Sequence, residues 1–387
     1  MKRVLLLLPM VLLVLVACRN DIAEEDYATI IPEEVYVEET YENENYYRDK
    51  EMAEDSFLLD IEHAAYYLTR LQEMWDADGG EMWGVSLHIP VVIFCADTHE
   101  VLANQPDDEG EFVREYIDNN AVYTGIRELL PPDYDDTRIF LEMYLEEYPE
   151  FAVYFEHWPM YWRDYWNEQM GLFISWQWLQ FAHTMYGRYG VFDRSLGRLM
   201  TINHSAFHAL QPSLMDIYGN LFSEDTLEDR ISFQLEVNAL VYAINSSGDE
   251  RLAAIHDTLS IRHARRYNFH TAYYENRLKL SEGTAVYTEL HLVFSRDEID
   301  DIIQTWPESF MEIEDVVEAS KQYGYYAGAL YGILLDDLGV SWRPYVESNT
   351  DLGLMLQEAV GINEMIPFDE IDLERYGYSV IMELVEQ

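Results

Sequence analysis

Apolar residues recur every three to four positions over most of the chain, which is the pattern of amphipathic helices. The spacing predicts a first helix from Phe57, in FLLDIEHAAYYLTRLQEMW, which ends at Asp78-Gly79-Gly80. The same spacing predicts further helices over residues 138–148, 162–187, 194–210, 225–246, 249–278, 282–297, 315–337 and 371–386. Small residues recur in YGYYAGALYGILLDDLG, residues 323–339, and predict a buried helix that another helix approaches closely.

A short stretch before these helices has the pattern of strands. VSLHIPVVIFCA and VLANQ flank the polar Asp97-Thr98-His99-Glu100, which predicts a strand pair with a short turn. No internal repeat or low-complexity linker divides residues 56–387. We therefore predict one mostly α domain (α+β) over this range, with a small N-terminal β-hairpin or sheet.

The amino terminus has the features of a signal peptide over residues 1–17. A basic Met1-Lys2-Arg3 precedes an apolar run that is too short to span a bilayer comfortably. The run ends in Leu15-Val16-Ala17-Cys18, which resembles the lipobox of bacterial lipoproteins, in which the cysteine is lipidated. The resemblance implies that Cys18 anchors an extracytoplasmic lipoprotein to a membrane. The alternative is an ordinary secretory signal, but the cysteine stands where the apolar run stops.

The net charge of the chain limits the kinds of molecule that it can bind, and its cysteine content limits the disulfide bonds that could stabilise it. The chain has 73 Asp and Glu against 24 Lys and Arg, a formal net charge of −49, which argues against nucleic-acid binding. Residues 18–55 are rich in acids and tyrosines without an apolar period, and we interpret them as an extended, disordered tether. With Cys18 lipidated, only Cys95 remains, so no internal disulfide is expected.

Two histidines in NHSAFHALQ, residues 203–211, are the first candidates for chemistry. His204 and His208 are one helical turn apart, so both imidazoles can reach one metal ion from the same helix face. The spacing alone equally fits a helix that merely contains two histidines. A third ligand could be Glu282 in LSEGTAVYTEL, although an acid at a helix N-terminus also has a purely structural explanation.

These stretches resemble motifs of the glutamate-zinc peptidases, the gluzincins. His204 to Gln211 is similar to their HExxHxxQ helix, and Glu282 to Tyr287 is similar to their EGLAEY helix. Stretches within 83–107, 235–240, 261–266 and 325–343 resemble a bacterial group of such peptidases, so the resemblance covers about residues 80–345. It implies a zincin-like helical metallopeptidase domain in which one zinc ion is held by His204, His208 and Glu282. Tyr287 could also reach the site cavity, and we take it as a candidate catalytic residue.

Ser205 departs from the family pattern at the position of the catalytic glutamate. A serine hydroxyl does not ionise near neutral pH, and loss of a general base typically costs about 10²–10⁴ in rate. Two other acids, Glu236 and Glu289, could replace the base or could orient a histidine from outside the metal site. For Glu289 the orienting role is our prediction, and Glu236 is kept as a candidate catalytic residue.

Arg262, Arg265 and Arg266 form a basic cluster in an acidic chain. They could bind a substrate carboxylate, or they could pair with acids on neighbouring helices. Together these features predict a membrane-anchored, extracytoplasmic zinc metallopeptidase-like protein whose peptidase activity is impaired or lost. The alternatives are a non-catalytic protein that binds zinc, or a peptide or protein ligand, and a purely structural lipoprotein without metal.

Overall fold

The structure is a computed structural model of the chain, and it describes residues 61–94, 100–104, 113–117, 120–126, 161–166, 169–176, 179, 193–214, 227–269, 272–311, 313, 316–346 and 350–385. The predicted signal peptide, Cys18 and the acidic tether lie outside these residues. Cys95 and the predicted helix 138–148 lie outside them as well. In the part of the chain that is described, no helix is both long enough and apolar enough to cross a membrane.

Most of the described residues are helical, as the apolar spacing predicts. The α-helices are α1 (Ile61–Asp78), α2 (Arg194–Leu214), α3 (Leu227–Asn245), α4 (Gly248–Phe269), α5 (Ala272–Leu278), α6 (Thr284–Val293), α7 (Arg296–Gln304), α8 (Trp306–Met311), α9 (Val316–Asp337), α10 (Leu352–Val360) and α11 (Tyr378–Val385). A π-helix, Lys279–Gly283, separates α5 from α6, and we call it the π segment. Short 3₁₀ turns lie at Arg343–Tyr345, Phe368–Glu370 and Leu373–Tyr376.

A six-stranded mixed sheet precedes the helices in sequence, with the exception of α1. Its strands are β1 (Val91–Phe94), β2 (Glu100–Ala103), β3 (Val113–Ile117), β4 (Asn120–Ile126), β5 (Tyr161–Trp166) and β6 (Gln169–Ser175), in spatial order β3-β4-β2-β1-β6-β5. β1 and β2 pair antiparallel with Ile93 opposite Leu102, which confirms the predicted strand pair. β1 also pairs parallel with β6, where Ile93 lies opposite Ile174.

The helix predicted over residues 162–187 is wrong in its first half, where the chain forms β5 and β6. Tyr161–Trp166 is rich in aromatic residues, which favour strands as well as buried helix faces. The strand outcome is decided by pairing: β6 hydrogen-bonds along β1, about 80 residues earlier in the chain, and β5 then pairs antiparallel with β6. The spacing of apolar residues within one segment does not show which distant strand that segment pairs with.

The core lies between the sheet and the helices. Val91, Val92 and Ile93 of β1 are fully buried, as expected for a central strand covered on both faces. α1 packs on β2 and β4, and α2 packs on β6. α2 in turn contacts α6, so the fold brings together two helices that are about 70 residues apart in sequence.

α9 lies directly against the π segment because glycines face each other across the contact. A Cβ added at Gly283 would lie 2.4 Å from Cα of Gly328 and 2.6 Å from the carbonyl oxygen of Gly324. No other residue type fits at that separation without moving a backbone. The buried, closely approached helix predicted over 323–339 is thus part of α9, and its position fixes that of the π segment.

Candidate metal centre

α2 presents the two histidines toward the π segment. Asp193 precedes the helix, and its carboxylate accepts hydrogen bonds from the backbone N–H groups of Ser195 and Leu196, at 2.8 and 3.0 Å. Phe207 is buried against Trp83, with ring centroids 5.1 Å apart. This packing helps to fix the rotation of α2, and His204 and His208, which are one turn apart, share the neighbouring helix face.

Three ligand-type atoms from His204, His208 and Glu282 converge on one point. His204 Nε2 lies 3.0 Å from His208 Nε2, and Glu282 Oε2 lies 3.4 Å from the former and 3.2 Å from the latter. The side chains keep 17%, 11% and 9% of their surface exposed, so the group is largely buried with a small exposed edge. These three residues form a group that could hold a metal ion.

The outward-facing nitrogens of both imidazoles meet acceptors. His208 Nδ1 lies 2.8 Å from Oε1 of Gln211, and His204 Nδ1 lies 3.1 Å from Oε2 of Glu289. An amide oxygen can only accept, so Nδ1 of His208 carries the proton and the lone pair of its Nε2 faces the convergence point. Nδ1 of His204 is at ion-pair distance from Glu289 without the geometry of a hydrogen bond, and Nε2 of His204 faces the same point, together with a carboxylate oxygen of Glu282.

Three lone pairs at this separation repel one another unless a cation lies between them. Burial disfavours the charged form of His204, yet Glu289 and Glu282 raise its pKa to about 10. Burial likewise disfavours ionised Glu282, but His208 and His204 hold the pKa of this carboxyl well below its usual range. In the metal-free protein, a proton on His204 Nε2 thus provides the positive charge that the point requires.

The spacing fits a tetrahedral metal. Zinc bonds of about 2.0–2.2 Å place neighbouring ligand atoms of a tetrahedron about 3.3–3.6 Å apart. Of the three observed separations, 3.4 Å lies within that range, and 3.2 and 3.0 Å fall short of it by at most a few tenths of an ångström. Two imidazoles and one carboxylate also leave a fourth position open.

Ser205, Glu289 and Tyr325 surround the two histidines. Ser205 is buried on α2 beside His204. Glu289 lies on the far side of the His204 ring from Glu282, where it can orient the ring without reaching the convergence point. The ring of Tyr325 on α9 is parallel to that of His204, with centroids 6.1 Å apart. Tyr325 is a neighbour that the sequence reasoning did not identify, because only the docking of α9 brings it there.

Tyr287 does not contribute its hydroxyl to this cluster, contrary to the prediction. The hydroxyl donates to Asp336 and is contacted by Arg343, and the ring packs on Trp342 and His291. Burial together with the charge of Asp336 raises the pKa of Tyr287 above its ordinary value. Tyr287 is therefore a core residue that joins α6 to the end of α9.

The predicted substrate-binding arginines are paired with buried acids instead. Arg265 contacts Glu236 at 2.7 Å and Glu275 at 2.9 Å, while Arg262 and Arg266 both pair with Asp351. We call these six residues, together with Lys279, the ion cluster. The guanidinium groups of the three arginines all pair with acids of the protein. The substrate-binding role is therefore withdrawn, and pairing with neighbouring acids explains the basic run.

Glu236 belongs to the ion cluster and not to the metal-ligand group. Its carboxylate contacts Arg265, lies 3.4 Å from Lys279 and accepts a hydrogen bond of 2.7 Å from Tyr331. Burial would raise the pKa of Glu236, but Arg265 and Lys279 lower it to about 2. A carboxylate of that pKa, held by two cations, is a poor proton acceptor, and the catalytic role considered for Glu236 is withdrawn.

The ion cluster predicts a defined pH dependence of stability. Because the pKa of Glu236 falls from 4.5 to about 2 on folding, the stabilisation is fully present above pH 4.5 and is lost as the pH falls through 2. This change is worth about 3 kcal/mol. We expect Glu236→Gln to be less stable than the parent by about this amount at pH 6, and the gap to shrink as the pH approaches 2.

Denaturant unfolding of both proteins at several pH values measures this gap. Comparing two proteins that differ at one residue removes the effect of the other acids, whose mutual repulsion also changes with pH. A gap that stays constant from pH 6 to pH 2 would show that Glu236 is not held in the ionised form.

Comparison of the chain with protein-family models, with curated proteins and with solved structures gives no match. The gluzincin resemblance therefore rests on the motif residues themselves, and the geometry of His204, His208 and Glu282 is the independent observation beside it.

Proposed function

We propose that this protein is a zinc-binding, metallopeptidase-like lipoprotein whose site lacks the general base of an active peptidase. The observation that carries the proposal is the convergence of His204, His208 and Glu282, with separations of 3.0 to 3.4 Å between their ligand atoms. His204 and His208 are only four residues apart, but Glu282 is 74 residues from His208. If the two histidines shared a helix only by chance, a carboxylate from a distant segment would not be expected to meet both imidazoles.

The donor set favours zinc among the common metal ions. Calcium and magnesium prefer oxygen ligands, whereas two imidazoles and one carboxylate suit zinc and its neighbours among the transition metals. A zinc ion held there supplies Lewis-acid chemistry at the open fourth position. The chain would hold His204, His208 and Glu282 in the orientation that the ion requires. The carboxylate of Glu282 would balance part of the positive charge of the ion.

The proposal of lost peptidase activity rests on where the acids lie. In a zinc peptidase a carboxylate beside the metal accepts a proton from the attacking water. Ser205 holds that sequence position, Glu289 lies behind the His204 ring, and Glu236 is engaged in the ion cluster. Among the described residues, neither of the two acids considered as substitutes is placed to act as the base.

A zinc site that lacks a general base can still bind a ligand without cleaving it. We propose that the exposed edge of the metal position binds a carbonyl or carboxylate group of a peptide or protein ligand. The lipobox-like Cys18 places the protein, in this proposal, on the outer side of a bacterial cytoplasmic membrane or beyond it. The high negative charge is consistent with a partner that is not a nucleic acid.

Metal analysis of the purified protein tests the zinc site, and a peptide-library assay tests the loss of catalysis. We expect one zinc ion per chain after dialysis against a zinc-containing buffer, and no cleavage above a protein-free control. A protein that retains no transition metal would overturn the zinc site. Cleavage that a chelator abolishes would instead show an active peptidase and refute the pseudo-peptidase proposal alone.

A further inference from the structure

Gln211 connects the two chain segments that supply the candidate ligands. It lies on α2, three residues after His208, and only 6% of its surface is exposed. Its Oε1 atom lies 2.8 Å from His208 Nδ1. Its Nε2 atom donates to the carbonyl oxygens of Leu280 and Ser281, at 2.9 and 2.7 Å, and to the hydroxyl of Thr284 at 3.2 Å.

The orientation of this amide follows from its partners. Carbonyl oxygens only accept hydrogen bonds, so the NH₂ group of Gln211 must face Leu280 and Ser281. Its oxygen must then face His208, which places the ring proton on Nδ1 and the lone pair of Nε2 toward Glu282. Flipping the amide would break three hydrogen bonds and would favour the other tautomer of His208.

The carbonyl groups that Gln211 holds belong to the two residues immediately before Glu282. They lie in the π segment, where the backbone N–H of Thr284 bonds to the carbonyl of Lys279, five residues earlier. This turn is wider than an α-helical turn, and such π turns often occur at functional sites. A side chain from α2 therefore fixes the backbone that carries the third ligand.

We propose that Gln211 is a positioning residue of the metal site, which sets the tautomer of His208 and the place of Glu282 with one amide group. This inference rests on the proposed zinc site. It goes beyond that proposal because it assigns the preorganisation of the site to a residue that would not touch the ion. Partners of this kind typically change metal affinity by about 10- to 100-fold.

Gln211→Met and Gln211→Glu test the two halves of this role. Methionine keeps the length of the side chain but loses both sets of hydrogen bonds. Glutamate keeps an acceptor for His208 Nδ1 but places an oxygen against the carbonyls of Leu280 and Ser281. We expect zinc affinity, measured by competition with a chelator, to fall about 10- to 100-fold in both variants. We also expect the visible absorption of the cobalt(II)-substituted protein to change.

Gln234→Met is the matched control. Gln234 is a buried glutamine on α3, 3% exposed, whose amide donates to Asn238 and to the carbonyl of Pro307. The same substitution there removes the two hydrogen bonds of a buried amide, against four at Gln211, far from the ligands in sequence. We expect it to lower the thermal midpoint of the metal-free protein and to leave zinc affinity and the cobalt spectrum unchanged.

The possible results distinguish a failure of the role proposed for Gln211 from a failure of the proposed zinc site. If the parent binds zinc and both Gln211 variants, folded by circular dichroism, bind it within twofold of the parent, Gln211 is only a structural residue and the inference fails. If Gln211→Met does not fold, Gln211→Glu decides by the same criterion. If the parent itself binds no zinc, both the site and the role of Gln211 are refuted.

Discussion

Replacing His208 with alanine is expected to abolish stoichiometric zinc binding. His208 Nε2 lies 3.0 Å from His204 Nε2 and 3.2 Å from Glu282 Oε2, so its loss leaves two ligands of three. The affinity should fall by more than the roughly 100-fold that loss of an outer hydrogen-bond partner causes. Elemental analysis after gel filtration measures the remaining zinc. A thermal shift on zinc addition should be seen in the parent only, because a ligand stabilises the state that binds it.

His256→Ala is the control for this experiment. His256 lies on α4, and its ring bonds to the carbonyl oxygen of Glu364, on the surface of the molecule. The variant should retain zinc and the thermal shift of the parent. Retention of stoichiometric zinc by His208→Ala would show that the ion binds elsewhere in the chain, and the proposed site would be wrong.

Replacing Ser205 with glutamate is expected to create peptidase activity in a protein for which we propose none. Glutamate at this position restores a carboxylate next to the first histidine of the helix, where a peptidase of this class carries its general base. General-base catalysis typically contributes about 10²–10⁴ in rate. The gain should appear as chelator-sensitive cleavage in the same peptide-library assay, in which we expect no cleavage by the parent.

Ser205→Gln separates the chemistry from the change in size. Glutamine has the shape of glutamate but cannot accept the proton, so this variant should bind zinc and remain inactive. Because Ser205 is 5% exposed, zinc content and circular dichroism must show that both variants fold. A folded, zinc-loaded Ser205→Glu protein without cleavage would mean that the site does not have the geometry of a peptidase.

The sequence predicted those parts of the fold and site that depend on local spacing. The helix carrying His204 and His208 follows from the apolar period and from the one-turn separation of the two residues. Glu282 could be selected only through the gluzincin motif, since nothing in its own helix distinguishes a ligand from an N-terminal acid. The small residues around Gly328 correctly indicated a close helix contact, but not which helix would make it.

The errors came from interactions between distant residues. β6 is a strand because it pairs with β1, and neither periodicity nor propensity in YWRDYWNEQMGLFIS shows that partner. Arg262 and Arg266 looked available for substrate, but Asp351, more than 80 residues later, pairs with both. Tyr287 matched a motif position, yet Asp336 at the end of α9 and Arg343 in the 3₁₀ turn that follows determine where its hydroxyl lies.

The backbone contact between Gly283 and Gly328 also makes the candidate site depend on a late part of the chain. α9 packs on the π segment that carries Glu282, so a chain that stops at residue 300 contains all three candidate ligands but lacks this packing partner. If the proposed zinc site is correct, we therefore expect a protein truncated before α9 to bind zinc more weakly than the full chain.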